Sequence, residues 1–172
     1  MRAAGRRLTG NARRAAFILA TLLVLWTAVR IPGPRQPSSS SPVDRPHVPY
    51  AARQEPVTFS SQGEVLSGVL LVPPGRSPHP AFILLQGSGP EGIRAEMTPS
   101  HPFWLDIADH LLRRGFAVLA FDKAGTGGST GDWRRQDFTA RARDALAAVD
   151  SLRSRPEIDG GRVGLAGHSQ GG

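Results

Sequence analysis

Three short apolar runs constrain the fold of this chain more than any other feature of its sequence. They occupy residues 81–86 (AFILLQ), 116–121 (FAVLAF) and 163–166 (VGLA), and each leads into a glycine-rich turn. A strand that is apolar on both faces is typical of a parallel sheet covered by helices on both sides. The runs therefore predict the central strands of an α/β fold.

Two helical periods lie between these strands. Residues 102–115 carry an apolar stripe, with Pro102 suited to the first turn of a helix and Gly115 to its C-terminal cap. Apolar residues recur at helical spacing over 138–152, and Pro156 stops that pattern. Strands that alternate with helices form right-handed βαβ units. The sequence thus predicts a mostly parallel sheet with helices on both faces.

The chain divides into three parts. Residues 31–55 are rich in proline and serine and show no apolar period, which predicts a disordered linker. Folded sequence follows it, because residues 57–60 and 65–72 have the pattern of two further strands. We therefore expect an N-terminal segment over 1–30, the linker, and one domain over 56–172.

The N-terminal segment predicts export or membrane anchoring. Residues 1–30 hold six arginines and no acidic residue, and residues 15–29 are apolar and uncharged. As a helix, this run would span roughly 22 Å, against about 30 Å for a bilayer core. Both a signal peptide and an uncleaved membrane anchor stay open. Because most arginines precede the run, the domain should lie outside the cytoplasm, either membrane-anchored and facing outward or secreted or periplasmic.

The net charge of +7 does not indicate nucleic-acid binding. The arginines of residues 1–30 account for nearly all of it, so the rest of the chain is close to neutral. A nearly neutral domain lacks the basic excess that phosphates need, which excludes nucleic acid as a partner. The chain also has no cysteine, which excludes disulfides, thiolate metal sites and a cysteine nucleophile. No metal site is predicted.

The turn after the first apolar run, QGSGPEG, has two interpretations. Gly87, Gly89 and Gly92 match the spacing G-x-G-x-x-G of dinucleotide-binding turns. That fingerprint needs a helix to start inside the motif, whereas Pro90 intervenes and the helical period starts only near residue 103. The alternative is a loop whose glycines let backbone N–H groups approach a developing negative charge.

The turn after the third run, GHSQGG, has the pattern of a nucleophile elbow. A short strand leads straight into Ser169, with glycine at the flanking positions Gly167 and Gly171. A serine on a strained strand-to-helix turn needs small neighbours, because side chains there would collide with the adjacent strand and helix. The turn also exposes the serine Oγ and points the N–H of Gln170 at the reacting oxygen. Ser169 is therefore the predicted nucleophile.

Together the three turns resemble those of α/β-hydrolases, over residues 55–172. QGSGP is similar to the family's oxyanion loop after strand three, FDKAGTGGSTGDW to its D-x-R-G-x-G-x-S loop after strand four, and GHSQGG to its nucleophile elbow after strand five. The sequence resembles the N-terminal half of exported bacterial esterases and serine-aminopeptidase-like members, which are related to prolyl-oligopeptidase-type catalytic domains. One departure is Ala124, where the family usually has arginine.

The resemblance implies a role for each turn. Ser169 would accept the acyl group, and the N–H groups of Ser88 and Gln170 would form the oxyanion hole. His168 is expected to pack or line the pocket rather than act as the base, since adjacent residues on such a turn point apart. The residues of the supporting loops are Gln86, Gly87, Gly89, Asp122, Gly125, Gly127, Gly167 and Gly171.

The resemblance also implies hydrolysis of small-molecule carboxylic esters, or of peptides or amides, through an acyl-serine intermediate and without a cofactor. This fold orders its triad as serine, acid, histidine. The acid and histidine are therefore expected beyond Gly172, and the chain up to that residue is expected to be inactive alone. Two alternatives stay open: a non-catalytic truncated product or pseudoenzyme, and a nucleotide-binding Rossmann-type half supported only by the glycine spacing at 87–92.

Overall fold

The structure is a computed structural model that describes residues 50–172. Residues 1–49, which contain the expected signal or anchor and most of the expected linker, lie outside the described residues. Across residues 50–172, no helix combines the length and the apolar character that crossing a bilayer requires.

Strands and helices alternate after an initial hairpin, as the apolar runs predict. The elements in chain order are β1 (Arg53–Ser61), β2 (Glu64–Val72), β3 (His79–Leu85), α1 (Pro102–Arg113), β4 (Ala117–Phe121), a 3₁₀ turn (Trp133–Arg135), α2 (Phe138–Arg153), β5 (Ile158–Gly167) and a second 3₁₀ turn (Ser169–Gly171).

The first strand begins earlier than the composition indicates. β1 starts at Arg53, so residues 53–55 are paired with β2 although we expected them to belong to the linker. On this edge strand, Glu55 forms ion pairs with Arg53 and with Arg155. Polar composition alone therefore does not reveal the start of this strand.

The sheet has the order β1-β2-β4-β3-β5. β2 runs antiparallel to β1 and β4, whereas β3 is parallel to β4 and β5. Four strands thus point in one direction and β2 in the other, which confirms the predicted mostly parallel sheet. The β1–β2 hairpin lies at one edge. β5 lies at the other edge within the described residues, paired with β3 from Ala81↔Val163 to Leu85↔Gly167.

Within residues 50–172, the sheet carries one helix on each face. On β2, Leu70 and Leu71 are both fully buried but belong to different apolar clusters, because successive side chains of a strand point to opposite faces. Leu70 shares its cluster with Leu152 of α2. Leu71 shares the other cluster with Trp104 and Leu112 of α1. Helices on both faces were predicted, and the structure confirms them.

The carboxyl ends of β3, β4 and β5 lie together at one end of the strands, where ligands bind in folds of this kind. The three glycine-rich turns follow these ends. They start at Gln86 after β3, at Asp122 after β4 and at His168 after β5. The His168 N–H donates to the carbonyl oxygen of Leu85 at 3.1 Å, which ties the last turn to the end of β3.

Candidate active site

Ser169 begins the 3₁₀ turn that follows β5. Its φ is +56°, a left-handed conformation that residues other than glycine rarely adopt and that costs on the order of 1–3 kcal/mol. Within residues 50–172, Gln62 in the β1–β2 turn is the one other non-glycine residue with positive φ. Ser169 is exposed, and its hydroxyl forms no hydrogen bond with a described residue. The strained turn therefore presents Oγ to the solvent.

The glycines on either side of Ser169 are required by close backbone contacts. A Cβ at Gly167 would lie 1.9 Å from the carbonyl oxygen of Gly171. A Cβ at Gly171 would lie 2.2 Å from the carbonyl oxygen of Leu85 on β3. Both distances are far inside van der Waals contact, so the turn can close only with glycine at both positions. This is the steric reason for small neighbours that the sequence pattern indicates.

Gly87 brings the turn after β3 against the serine. A Cβ at position 87 would lie 3.3 Å from the Cβ of Ser169 and 3.5 Å from the carbonyl oxygen of His168. The N–H of the next residue, Ser88, has no acceptor among the described residues, and neither does the N–H of Gln170. Two backbone N–H groups next to the serine turn therefore lack an acceptor in the described chain, as the donors of an oxyanion hole must.

The ring of His168 packs against an aromatic side chain. Its centroid lies 5.2 Å from that of Phe103 at the start of α1, with the ring planes tilted by 60°. No hydrogen bond joins His168 to Ser169 within the described chain. His79, by contrast, lies at the start of β3, at the opposite end of the strands from the turns. It contacts the carbonyl oxygen of Gly115 at 3.3 Å. The packing of His168 agrees with the expectation that it lines the site.

The turn after β4 is organised around the carboxylate of Asp122, which is 1% exposed. Arg94, from the segment after β3, donates to it from Nη2 at 2.6 Å and from Nε at 3.0 Å, and the Gly128 N–H adds a bond of 3.1 Å. A Cβ at Gly92 or Gly127 would lie 2.5 or 2.1 Å from the carboxylate oxygens. Because breaking a buried ion pair costs about 3–5 kcal/mol, this pair holds the two turns together.

Arg94 was not found by sequence reasoning. The family pattern led us to expect an arginine at position 124, where Ala124 is instead buried. The guanidinium of this turn comes from Arg94, and no local pattern marks it because its partner lies 28 positions further along the chain.

The predicted loop positions need glycine for different reasons. Gly125 has φ +76° and its Cβ would lie 2.4 Å from the backbone nitrogen of Trp133, whereas Gly89 has φ +111° and faces open space.

Two buried cations support the turn after β3. Lys123 is 2% exposed and donates from Nζ to the carbonyl oxygens of Gly87 at 3.2 Å and of Glu91 at 3.3 Å. Arg141 of α2 donates from Nη2 to the carbonyl oxygen of Gln86 at 2.5 Å, and the Gln86 side chain donates to that of Glu91 at 2.5 Å. Burial, and after it the charge of Arg141, lowers the pKa of Lys123 below its usual 10.5.

Neither cation was singled out from the sequence, although each left a signal. Lys123 is the single lysine of the chain and directly follows Asp122. Arg141 lies four and seven residues before the buried Ala145 and Ala148 of α2, a spacing that puts it on the buried stripe. A charged residue on such a stripe is seldom buried without a partner, so its position points to a specific hydrogen bond.

The backbone does not match a dinucleotide-binding turn after β3. The helix that follows this strand begins at Pro102, so no helix N-terminus faces the glycines of the turn. Position 92 instead needs glycine because a Cβ there would collide with the carboxylate of Asp122. Among residues 50–172, no group of three or more acidic, histidine or cysteine side chains is placed to hold a metal ion.

A mostly parallel sheet with helices on both faces and a strained serine turn after its fifth strand define the class of the α/β-hydrolases. Solved structures of that class share the architecture described here. The chain belongs to the X-Pro dipeptidyl-peptidase (S15) family, whose family model matches residues 27–172. The resemblance inferred from the three turns is therefore confirmed at the level of the superfamily.

The relatives include both esterases and a peptidase. Esterase EstD of Thermotoga maritima is 33% identical over 106 residues, which are 62% of this chain and 25% of that protein. Dipeptidyl-peptidase 5 of Porphyromonas gingivalis is 30% identical over 132 residues, 72% of this chain and 18% of that protein. The structure of the Pyrococcus furiosus esterase Pf2001 has a TM-score of 0.57 at 24% identity, covering 80% of this chain and 49% of that one. The chain spans a quarter or less of the two curated relatives.

Proposed function

We propose that Ser169 is the nucleophile of a serine hydrolase that cleaves carboxylic esters or peptide bonds through an acyl-serine intermediate. The observation that carries the proposal is the φ of +56° at Ser169, on a turn that leaves the hydroxyl free. Strain of this kind persists only where the surrounding structure enforces it, and it concentrates at functional sites. Membership of the S15 family and the similarity to an esterase and a dipeptidyl-peptidase support hydrolysis as the reaction.

In the proposed reaction, Oγ of Ser169 attacks the substrate carbonyl carbon while its proton passes to a histidine. The N–H groups of Ser88 and Gln170 hold the oxyanion that forms. The intermediate then collapses, returns the proton to the leaving alcohol or amine, and leaves the acyl group on Ser169 for hydrolysis by water. Because the acid and the histidine follow the serine in α/β-hydrolases, we propose that both come after Ser169 in the polypeptide. No cofactor enters these steps.

The substrate is proposed to be a small ester or a short peptide. The name of the matched family favours a peptide substrate with proline in the second position, whereas the similarity to EstD favours an ester substrate. The test compares p-nitrophenyl acetate with Xaa-Pro p-nitroanilides on the complete hydrolase polypeptide that contains these residues. Turnover of either supports the proposal. Inactivity towards both, together with no labelling of Ser169 by a fluorophosphonate, would contradict it.

Residues 50–172 alone are expected to be inactive and prone to aggregation. Phe138, Leu146 and Leu165 are 71%, 64% and 50% exposed, and they line one apolar groove beside Gln170. An apolar patch next to an edge strand promotes association. Without a histidine to take its proton, a serine hydroxyl is a weak nucleophile at neutral pH. The measurement is p-nitrophenyl acetate hydrolysis with light scattering, and serine-dependent activity of a soluble fragment would contradict the expectation.

We propose that residues 1–30 direct the domain across a membrane, as a signal peptide or as an outward-facing anchor. The arginines before the uncharged run 15–29 support this orientation. Alkaline phosphatase fused after residue 50 should be active outside the cytoplasm, whereas the same fusion without residues 15–29 should be inactive. Equal activity of the two fusions would show that the run has no such role.

A further inference from the structure

We infer that Lys123 is a positioning residue that aims the oxyanion-hole N–H of Ser88, an inference that rests on the proposed function of Ser169. Nζ of Lys123 donates to the carbonyl oxygen of Gly87 at 3.2 Å and to that of Glu91 at 3.3 Å. Its two bonds thus span the loop that contains Ser88, from the residue before the serine to the third residue after it.

The argument depends on one peptide unit. The Gly87 carbonyl and the Ser88 N–H belong to the same peptide, which is trans. A trans peptide is planar, and its C=O and N–H bonds point in opposite directions. Fixing the Gly87 carbonyl on Lys123 therefore fixes the direction of the Ser88 N–H. That N–H has no acceptor among the described residues, so it stays available for a substrate oxygen.

The loop needs an outside anchor because its own residues restrict it little. Ser88 lies between Gly87 and Gly89, and Gly89 adopts φ +111°. Glycine has more accessible backbone conformations than any other residue, so Gly87 restricts the peptide before Ser88 less than another residue would. Arg141 holds the preceding carbonyl, that of Gln86, at 2.5 Å. The bond from Lys123 is the one that acts on the peptide carrying the Ser88 donor.

An ammonium group suits this anchor better than a guanidinium. It brings several donors to one nitrogen, whereas arginine spreads its donors over a planar fork. Every other Lys or Arg position in the sequence is arginine, so the lysine at 123 is an exception in this chain. Lys123 is 2% exposed and burial lowers its pKa. A buried ammonium is unfavourable unless its hydrogen bonds compensate, and here both bonds go to the oxyanion loop.

The test uses two substitutions in the complete hydrolase polypeptide. Lys123→Met keeps the length of the side chain and removes its donors. Lys123→Arg keeps the buried charge but holds its donors in a rigid planar fork on a longer side chain, so the position of Nζ between the two carbonyl oxygens is lost. Arg155→Met is the matched control. Arg155 pairs with Glu157 at 2.6 Å just before β5 begins, at the opposite end of the strands from the turns.

The readout is the kcat for an aryl ester and for its thionoester. In the thionoester the developing charge lies on sulfur, a weak hydrogen-bond acceptor, so that reaction gains little from the oxyanion hole. For Lys123→Met we expect the ester kcat to fall about 10- to 100-fold, less than the loss of a donor outright, with KM unchanged. The ester-to-thionoester ratio should fall by a similar factor. Arg155→Met should lower thermal stability and leave the ratio as in the parent.

The outcomes separate this inference from the proposed function. An unchanged ratio in folded Lys123→Met, with Ser169→Ala inactive, would overturn the role of Lys123 alone. Full activity of Ser169→Ala would overturn the proposed function. If Lys123→Met does not fold, Lys123→Arg decides: a lowered ratio supports the inference, and a ratio equal to the parent's contradicts it.

Discussion

Replacing Ser169 with alanine is expected to abolish hydrolysis by the complete polypeptide. Removing the nucleophile of a serine hydrolase lowers kcat by about 10⁶-fold. We expect a loss of at least about 10⁴-fold here, since the proposed oxyanion hole would still polarise the substrate. Alanine has the same Cβ and the same strained φ of +56°, so the free energy of unfolding should change by less than about 0.5 kcal/mol. The measurements are kcat/KM for p-nitrophenyl acetate and a thermal melt.

A serine elsewhere in the same chain provides the control. Ser60 is an exposed residue of β1, the strand farthest from β5 in the sheet, and Ser60→Ala should retain full activity. A fluorophosphonate should label the parent and Ser60→Ala at Ser169, and should not label Ser169→Ala. If Ser169→Ala hydrolysed the ester at the parent's rate, another residue would have to be the nucleophile.

The strands and the elbow could be predicted because their causes are local. The run 116–121 is apolar on both faces, and β4 is buried along its whole length. The serine turn could be recognised because Gly167 and Gly171 are its own immediate neighbours, and their small size is a direct requirement of its geometry. Features that depend on adjacent residues leave a readable pattern in the sequence.

The stripe of α2 shows where periodicity alone was wrong. The helical spacing over 138–152 predicted that Phe138 and Leu146 pack in the core, but these side chains are 71% and 64% exposed in the described chain. Arg141 and Asp144 are buried instead. Asp144 accepts a hydrogen bond of 2.6 Å from the hydroxyl of Ser61, which compensates for removing its charge from water. A hydrophobic period does not reveal a buried polar side chain whose hydrogen-bond partner lies on a distant element, as Ser61 of β1 does for Asp144.

The supporting contacts of the site could not be predicted for the same reason. Arg94 meets Asp122 across 28 positions, Lys123 meets Gly87 across 36, and Arg141 meets Gln86 across 55. Each contact exists only because parallel strands bring their carboxyl ends together. The chain thus encodes the serine turn locally, while the residues that hold the neighbouring loops in place are distributed over the fold.

The substitution Gly167→Ala is expected to inactivate the enzyme by opening the elbow. The added Cβ would lie 1.9 Å from the carbonyl oxygen of Gly171, so the turn around Ser169 must move. A misplacement of about 1 Å at a reacting group lowers the rate about 10²-fold, and we expect a loss of kcat at least that large. Overpacking of this kind costs about 1–3 kcal/mol of unfolding free energy. Assays of kcat and urea denaturation measure both effects.

The same substitution at the other end of β5 separates a closed elbow from a weakened strand. A Cβ at Gly161 would make an ordinary contact of 3.5 Å with Oδ1 of Asp159, and its φ is not in the left-handed region. Gly161→Ala should therefore keep the parent's kcat and stability. If Gly167→Ala lost stability but kept kcat, the close contact with Gly171 would not control the position of Ser169. If both variants lost activity equally, the loss would reflect β5 as a whole, because only the elbow geometry distinguishes the two glycines.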